Sequence, residues 1–132
     1  MTSPQRAERL ATAVRTGASG ICSLEAACEL LIGTGWLHRD DFAGFIRTEI
    51  PDASGTEVAE IDWQALITSR NAGRLPCSGG ENRVLRLAAS LAAGIPVDLN
   101  HALSGLDHAS ITLVARAVRH ANGTRPDDYP GQ

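Results

Sequence analysis

The stretch LPCSGGENRVLRLAASLAAG, residues 75–94, carries the clearest structural pattern in the chain. Ser78 and Glu81 have the S-x-x-E spacing of a capping box, in which each side chain accepts a hydrogen bond from the other residue's backbone N–H at a helix start. Gly94 is typical of a helix end. Between these signals, apolar residues recur at the spacing that gives a helix one buried face: Val84, Leu87, Ala88, Leu91 and Ala92. The stretch therefore predicts an amphipathic helix.

Similar start and stop signals predict helices along the rest of the chain. Five short polar residues are the expected N-caps of the first, second, fourth, sixth and seventh helices: Ser3, Ser23, Asp62, Asp98 and Asp107. The expected buried row of the seventh helix is Ile111, Val114, Ala115 and Val118. We therefore expect an all-α fold, a single compact domain of six or seven short helices over residues 1–123. Residues 124–132, TRPDDYPGQ, are expected to form a disordered polar tail.

The middle of the chain gives the least distinct pattern. A third helix is expected over about residues 39–48, and the residues expected to be buried are Phe42, Phe45, Ile46 and Ile50. Residues 57–61 suggest a short extended segment, but a single strand without a partner does not make a sheet. No sheet is therefore expected.

Composition favours an ordinary globular domain without a membrane or secreted character. The chain has 132 residues, 43% hydrophobic and 20% charged, and a net charge of −3. Three cysteines at irregular spacing favour reduced thiols over a disulfide framework. The polar start MTSPQRAERL does not read as a secretory signal, and no apolar run is long enough to cross a bilayer. A cytoplasmic location is expected, without contact with a membrane.

Cys77 is the candidate reactive thiol, because it directly precedes the capped helix start, where backbone N–H groups stabilise a thiolate. The structural alternative, which the sequence favours, is a hydrophobic residue that packs just before the cap. Gly79 and Gly80 do not form a phosphate-binding loop, since that motif needs a lysine and the chain has none. No catalytic residue is therefore assigned, and no cofactor is expected. An enzyme with an unmarked site around Cys77 is the third function that the sequence leaves open, after partner binding and nucleic-acid binding.

Metal binding is not expected either. A structural zinc site normally shows two closely spaced ligand pairs. Cys22 and Cys28 are six residues apart, and His101 and His108 are seven apart across a predicted helix break. No pair has the spacing that a metal site needs.

Nucleic-acid binding is the alternative function that the sequence supports. Four arginines are expected on the outer faces of the fifth and seventh helices: Arg83, Arg86, Arg116 and Arg119. If these faces are adjacent, they form a basic patch for phosphates. The sixth and seventh helices with Gly105 between them also resemble a helix-turn-helix, although the arginines come late in its second helix.

Association with a protein partner or a second copy of the chain is the function that we expect first. Several helices are apolar beyond their main buried row, and such helices often need a second surface to cover them. Trp36 and Trp63, near predicted helix ends, are the candidate anchors of an interface. The alternative is that both are buried, because a core with so few aromatic residues uses them internally at least as often. The sequence thus predicts a small helical adaptor, regulator or inhibitor.

Overall fold

The computed structural model describes residues 4–124 and shows a helical fold with one small sheet. Within these residues there are six α-helices: α1 (Pro4–Ala18), α2 (Cys22–Gly33), α3 (Trp63–Asn71), α4 (Gly79–Ala93), α5 (Leu99–Leu103) and α6 (His108–Ala121). Two short 3₁₀ helices, Trp36–His38 and Asp40–Phe45, precede the strands β1 (Ile46–Glu49) and β2 (Val58–Ile61). The predicted helical domain is confirmed.

Helix α2 lies at the centre of the fold. It packs against α1, α4 and α6, and also against the first 3₁₀ helix. Ala26, Ala27, Leu30 and Leu31 are each at most 1% exposed. A helix that is apolar around most of its circumference is stable only when other elements cover it on several sides. The burial of α2 therefore sets the positions of three neighbouring helices.

The predicted caps are confirmed at four of the helix starts. The side chains of Asp62, Asp98 and Asp107 each accept a hydrogen bond from a backbone N–H in the first turn of α3, α5 and α6. At α4 the Ser78 hydroxyl accepts from the Glu81 N–H at 3.1 Å, and the Glu81 carboxylate accepts from the Ser78 N–H at 2.9 Å. The complete capping box is present.

The expected cap of the second helix is wrong. Helix α2 begins at Cys22, after Ile21, and no side chain caps its start. Glu25 instead turns back and accepts a hydrogen bond from the Gly20 N–H at 3.0 Å. The Glu25 carboxylate in the first turn also interacts favourably with the positive end of the helix dipole. The expected Ser3 cap of α1 lies outside the described residues.

The expected third helix is also wrong, and the expectation of no sheet fails with it. Residues 40–45 form a 3₁₀ helix, and the chain then extends into β1. This strand pairs antiparallel with β2, so that Ile46 faces Ile61 and Glu49 faces Val58. The partner strand lies after the turn around Gly55, whose φ of 79° glycine adopts readily. An apolar pattern within 39–48 cannot reveal a partner that lies further along the chain.

The buried face of α6 differs from the expected one. Val114 and Ala117 are buried, and Leu113 and Ala121 pack against the core. Of the expected row, Ile111 is 37% exposed, Val118 is 56% exposed and Ala115 is exposed. The helix is apolar over a wider arc than α2 and α4 cover.

The expected tail, residues 124–132, lies outside the described residues except for Thr124. The Thr124 N–H donates to the Arg119 carbonyl at 3.0 Å, just after the end of α6.

Gly17 provides a direct test of the packing of α1 on β2. A Cβ atom at this position would lie 2.2 Å from the backbone oxygen of Ala59. Because backbone on both sides must move, Gly17→Ala is expected to lower the free energy of unfolding by about 1–3 kcal/mol. Urea denaturation measures this difference.

The matched control is Gly80→Ala, since Gly80 is also helical but no atom lies within 4 Å of its Cβ position. This substitution is expected to leave stability unchanged or raise it by up to about 1 kcal/mol, because alanine favours the helix. A Gly17→Ala protein as stable as the control would contradict the close approach of α1 and β2.

The capping box of α4 predicts a pH dependence. The hydrogen bond from the Ser78 N–H, with help from the Arg39 charge, lowers the pKa of Glu81 below its ordinary value of 4.5. A lowered pKa in the folded state stabilises the fold above pH 4.5, and this stabilisation is lost as the pH falls through the folded-state pKa. Glu81→Gln keeps an acceptor but loses the charge, so the parent should be more stable than the variant only at the higher pH.

Denaturation of both proteins between neutral pH and a pH well below 4.5 measures the effect. A stability difference that stays constant over this range would show that the Glu81 charge does not stabilise the helix start.

Candidate functional site

The contacts described for residues 4–124 do not join the four candidate nucleic-acid-binding arginines into one patch. The Arg83 guanidinium donates to the His101 carbonyl of α5 at 3.1 Å. Arg86 donates to the Asn82 and Asn71 side chains, at 3.0 and 2.7 Å, and so joins α4 to the end of α3. These two arginines therefore hold elements of the fold together.

Arg116 and Arg119 are exposed on α6. Arg116 lies beside α1 and α2, away from the partners of Arg83 and Arg86. The expected helix-turn-helix has little internal packing, because α5 has only five residues and packs mainly against α4, while α6 packs mainly against α2.

Cys77 is partly buried and lies close to Arg39, Arg70 and Arg86. Burial raises the pKa of Cys77, and the positive charges of the three arginines only partly oppose it. This direction is opposite to that of an activated thiolate. The structure therefore favours the packing role of Cys77, which is also the interpretation that the sequence favours.

Trp36 and Trp63 lie in the core, with exposed fractions of 1% and 8%. The Trp36 ring packs against Phe42, with 5.8 Å between the ring centroids, and the Arg39 guanidinium covers it at 4.5 Å. Both tryptophans are thus used inside the fold, as is common in a core with few aromatic residues. Neither offers an exposed surface to a partner, so the expected interface anchors are wrong for this conformation.

A different surface on α6 is exposed and apolar. Ile111, Ala115 and Val118, which we call the α6 stripe, lie four and three residues apart and so share one face of the helix. On the neighbouring α5, Leu99 and Leu103 are 56% and 44% exposed. The sequence identified the apolar character of these residues but assigned the α6 stripe to the core.

A groove that the sequence analysis missed lies between α1, α2 and α6. Two adjoining cavities of about 200 and 340 Å³ share Arg15, Glu29 and His120. The first also contains Arg116, and the second contains Glu25. We call this the α1–α2–α6 groove. No spacing in the sequence indicates it, since Glu25 and His120 are 95 residues apart.

One ion pair and one hydrogen bond cross the groove. Arg15 donates to both carboxylate oxygens of Glu29, at 2.6 and 3.0 Å. His120 Nε2 lies 3.1 Å from Glu25 Oε1. The pKa of Glu25 is lowered, first by the hydrogen bond from the Gly20 N–H and then by the one with His120. Glu25 therefore ties the start of α2 to the end of α6.

Three further observations bear on function. Among residues 4–124, no group of three or more His, Cys, Asp or Glu side chains is arranged to hold a metal ion. In the same part of the chain, no helix is long and apolar enough to span a membrane. Comparisons with protein-family models, with curated proteins and with solved structures find no match to this chain.

The three thiols are expected to differ in reactivity. Cys22 is exposed, Cys77 is partly buried with a raised pKa, and burial raises the pKa of Cys28 to about 12. Because the thiolate is the reacting species, iodoacetamide should modify Cys22 first and Cys28 last. Peptide mass spectrometry after timed alkylation of the folded protein measures this order. Modification of Cys77 before Cys22 would restore the case for an activated thiol.

Proposed function

We propose that this protein acts by non-covalent association with a second protein, which packs on the α6 stripe. The observation that carries the proposal is the exposure of a regular apolar row on a well-formed helix. Ile111 is 37% exposed and Val118 is 56% exposed, although the opposite side of the same helix contacts the core. Exposed apolar rows of this kind are typical of surfaces that another chain covers.

The spacing of the stripe specifies the kind of partner surface. Residues four and three positions apart on one helix fit against an apolar row on a second helix. Ala115, in the middle of the stripe, is small and allows the two backbones to approach closely. We therefore propose a helical partner segment, with large apolar side chains on either side of Ala115. We thus propose an adaptor or regulator that binds an amphipathic helix.

Nucleic-acid binding receives less support. Arg83 and Arg86 are held by atoms of α5, α4 and α3, whereas Arg116 lies beside α1 and α2. A phosphate backbone needs a continuous positive surface, and Arg83 and Arg86 are engaged in contacts within the fold. We therefore keep nucleic-acid binding only as one possible outcome of the binding experiment with Val118→Glu.

Val118→Glu tests the proposal. A buried charge in an interface is unfavourable, so the variant should bind its partner about 10- to 30-fold more weakly, the effect of losing an interface hot spot. Affinity capture from an extract of the source cells identifies the partner, and titration of the purified partner measures the affinity. Sedimentation velocity of the purified chain tests whether a second copy is that partner.

Ile50→Glu is the matched control, because Ile50 is an isoleucine with 58% exposure that lies far from α6 in the sequence, after β1. Both variants should unfold at the temperature of the parent, since both positions are exposed. A partner that is retained by the Ile50 variant and lost by the Val118 variant supports the proposal. Equal binding of all three proteins, or binding of nucleic acid alone, would reject it.

A further inference from the structure

One guanidinium in the α1–α2–α6 groove is left over from the side-chain pairs that cross it. Arg15 is paired with Glu29, and His120 with Glu25. The Arg116 guanidinium also lines the groove, and among residues 4–124 it has neither a hydrogen-bonding nor an ion-pairing partner. An unpaired guanidinium at a concave surface is suited to bind an anion, because its planar fork donates two parallel hydrogen bonds.

The wall beside Arg116 is apolar. Leu30 and Ala117 form its buried part, with exposed fractions of 1% and 4%, and Leu113 and Ile32 are partly buried. Gly33 lets Leu113 of α6 pack closely on α2 at this end of the groove, because a Cβ atom there would lie only 3.2 Å from Leu113 Cδ1. A ligand that reaches Arg116 therefore also contacts aliphatic side chains.

The two carboxylates limit the charge of the ligand. Glu25 and Glu29 lie in the same groove as Arg116, so an anion with several negative charges would be repelled. A single carboxylate is repelled less than a multiply charged anion, and it meets one unpaired guanidinium. The charge of the groove thus favours a monoanion over a phosphate ester or a nucleic acid.

We propose that the α1–α2–α6 groove binds a small organic monocarboxylate with a short aliphatic tail. The carboxylate pairs with Arg116, and the tail packs on Leu30, Ile32, Leu113 and Ala117. The cavity of about 200 Å³ beside Arg116 has the size for a ligand of this class rather than for a polymer.

This site is separate from the α6 stripe. On a helix with 3.6 residues per turn, Arg116 lies about 160° around from Val118 and about 140° around from Ile111. The two proposals can therefore fail independently. Binding in the groove does not require a protein on the stripe.

Titration of the full chain with pentanoate, followed by ¹H–¹⁵N NMR, tests the proposal. Saturable shifts are expected at backbone amides of α2 and α6 that line the groove. Arg116→Gln keeps a polar side chain but removes the charge, and should weaken pentanoate binding by at least about tenfold. Pentan-1-ol, which has the tail without the carboxylate, should bind at least about tenfold more weakly than pentanoate to the parent.

Arg74→Gln is the control variant, because Arg74 is an exposed arginine outside the groove. It should bind pentanoate like the parent, as should Val118→Glu. Unchanged binding in Arg116→Gln, equal shifts with pentan-1-ol, or the absence of saturable shifts in the groove would overturn the proposal. Inorganic phosphate that binds as tightly as pentanoate would also overturn it, since the aliphatic wall would then contribute nothing.

The NMR spectra also report the folding of each variant. A dispersed spectrum of Arg116→Gln with loss of pentanoate binding assigns the loss to the charge. If that variant does not fold, Arg116→Lys provides the second test. Lysine retains the charge without the planar fork, and binding to it should be weaker than to the parent but stronger than to a protein with no charge at this position.

Discussion

The burial of α2 is the constraint on which the other elements depend. Its four core positions Ala26, Ala27, Leu30 and Leu31 are almost completely removed from solvent. The alanines allow neighbouring helices to approach closely, and the leucines fill the space between them. Helices α1, α4 and α6 are stable where they are because each covers a different side of α2.

This arrangement also explains why α6 has an exposed apolar row. Helix α6 runs along α2, with Leu113 near Gly33 at one end and His120 near Glu25 at the other. Only the side that faces α2 and α4 is covered, although the apolar arc extends further. The α6 stripe and the α1–α2–α6 groove are thus two consequences of one packing geometry, and each is the basis of a separate proposal.

The segment between α2 and α3 shows where the sequence is insufficient. Phe42 is completely buried, as expected for a helix over 39–48, yet the chain there is a 3₁₀ helix followed by β1. A two-stranded sheet is stable only when other elements support it. Here α1 packs closely on β2. The Ala59 carbonyl oxygen lies where a side chain at position 17 would be, which is possible only because residue 17 is glycine. That support lies about forty residues away in sequence, so no local pattern contains it.

Features that depend on a few neighbouring residues could be read from the chain alone. The aspartate caps and the Ser78–Glu81 capping box are examples, because their hydrogen bonds join residues three positions apart. The choice between two apolar faces of α6, the burial of Trp36 and Trp63, and the meeting of Glu25 with His120 were decided only by the tertiary structure. Each depends on which distant elements cover a surface, and hydrophobicity along a single helix does not specify its neighbours.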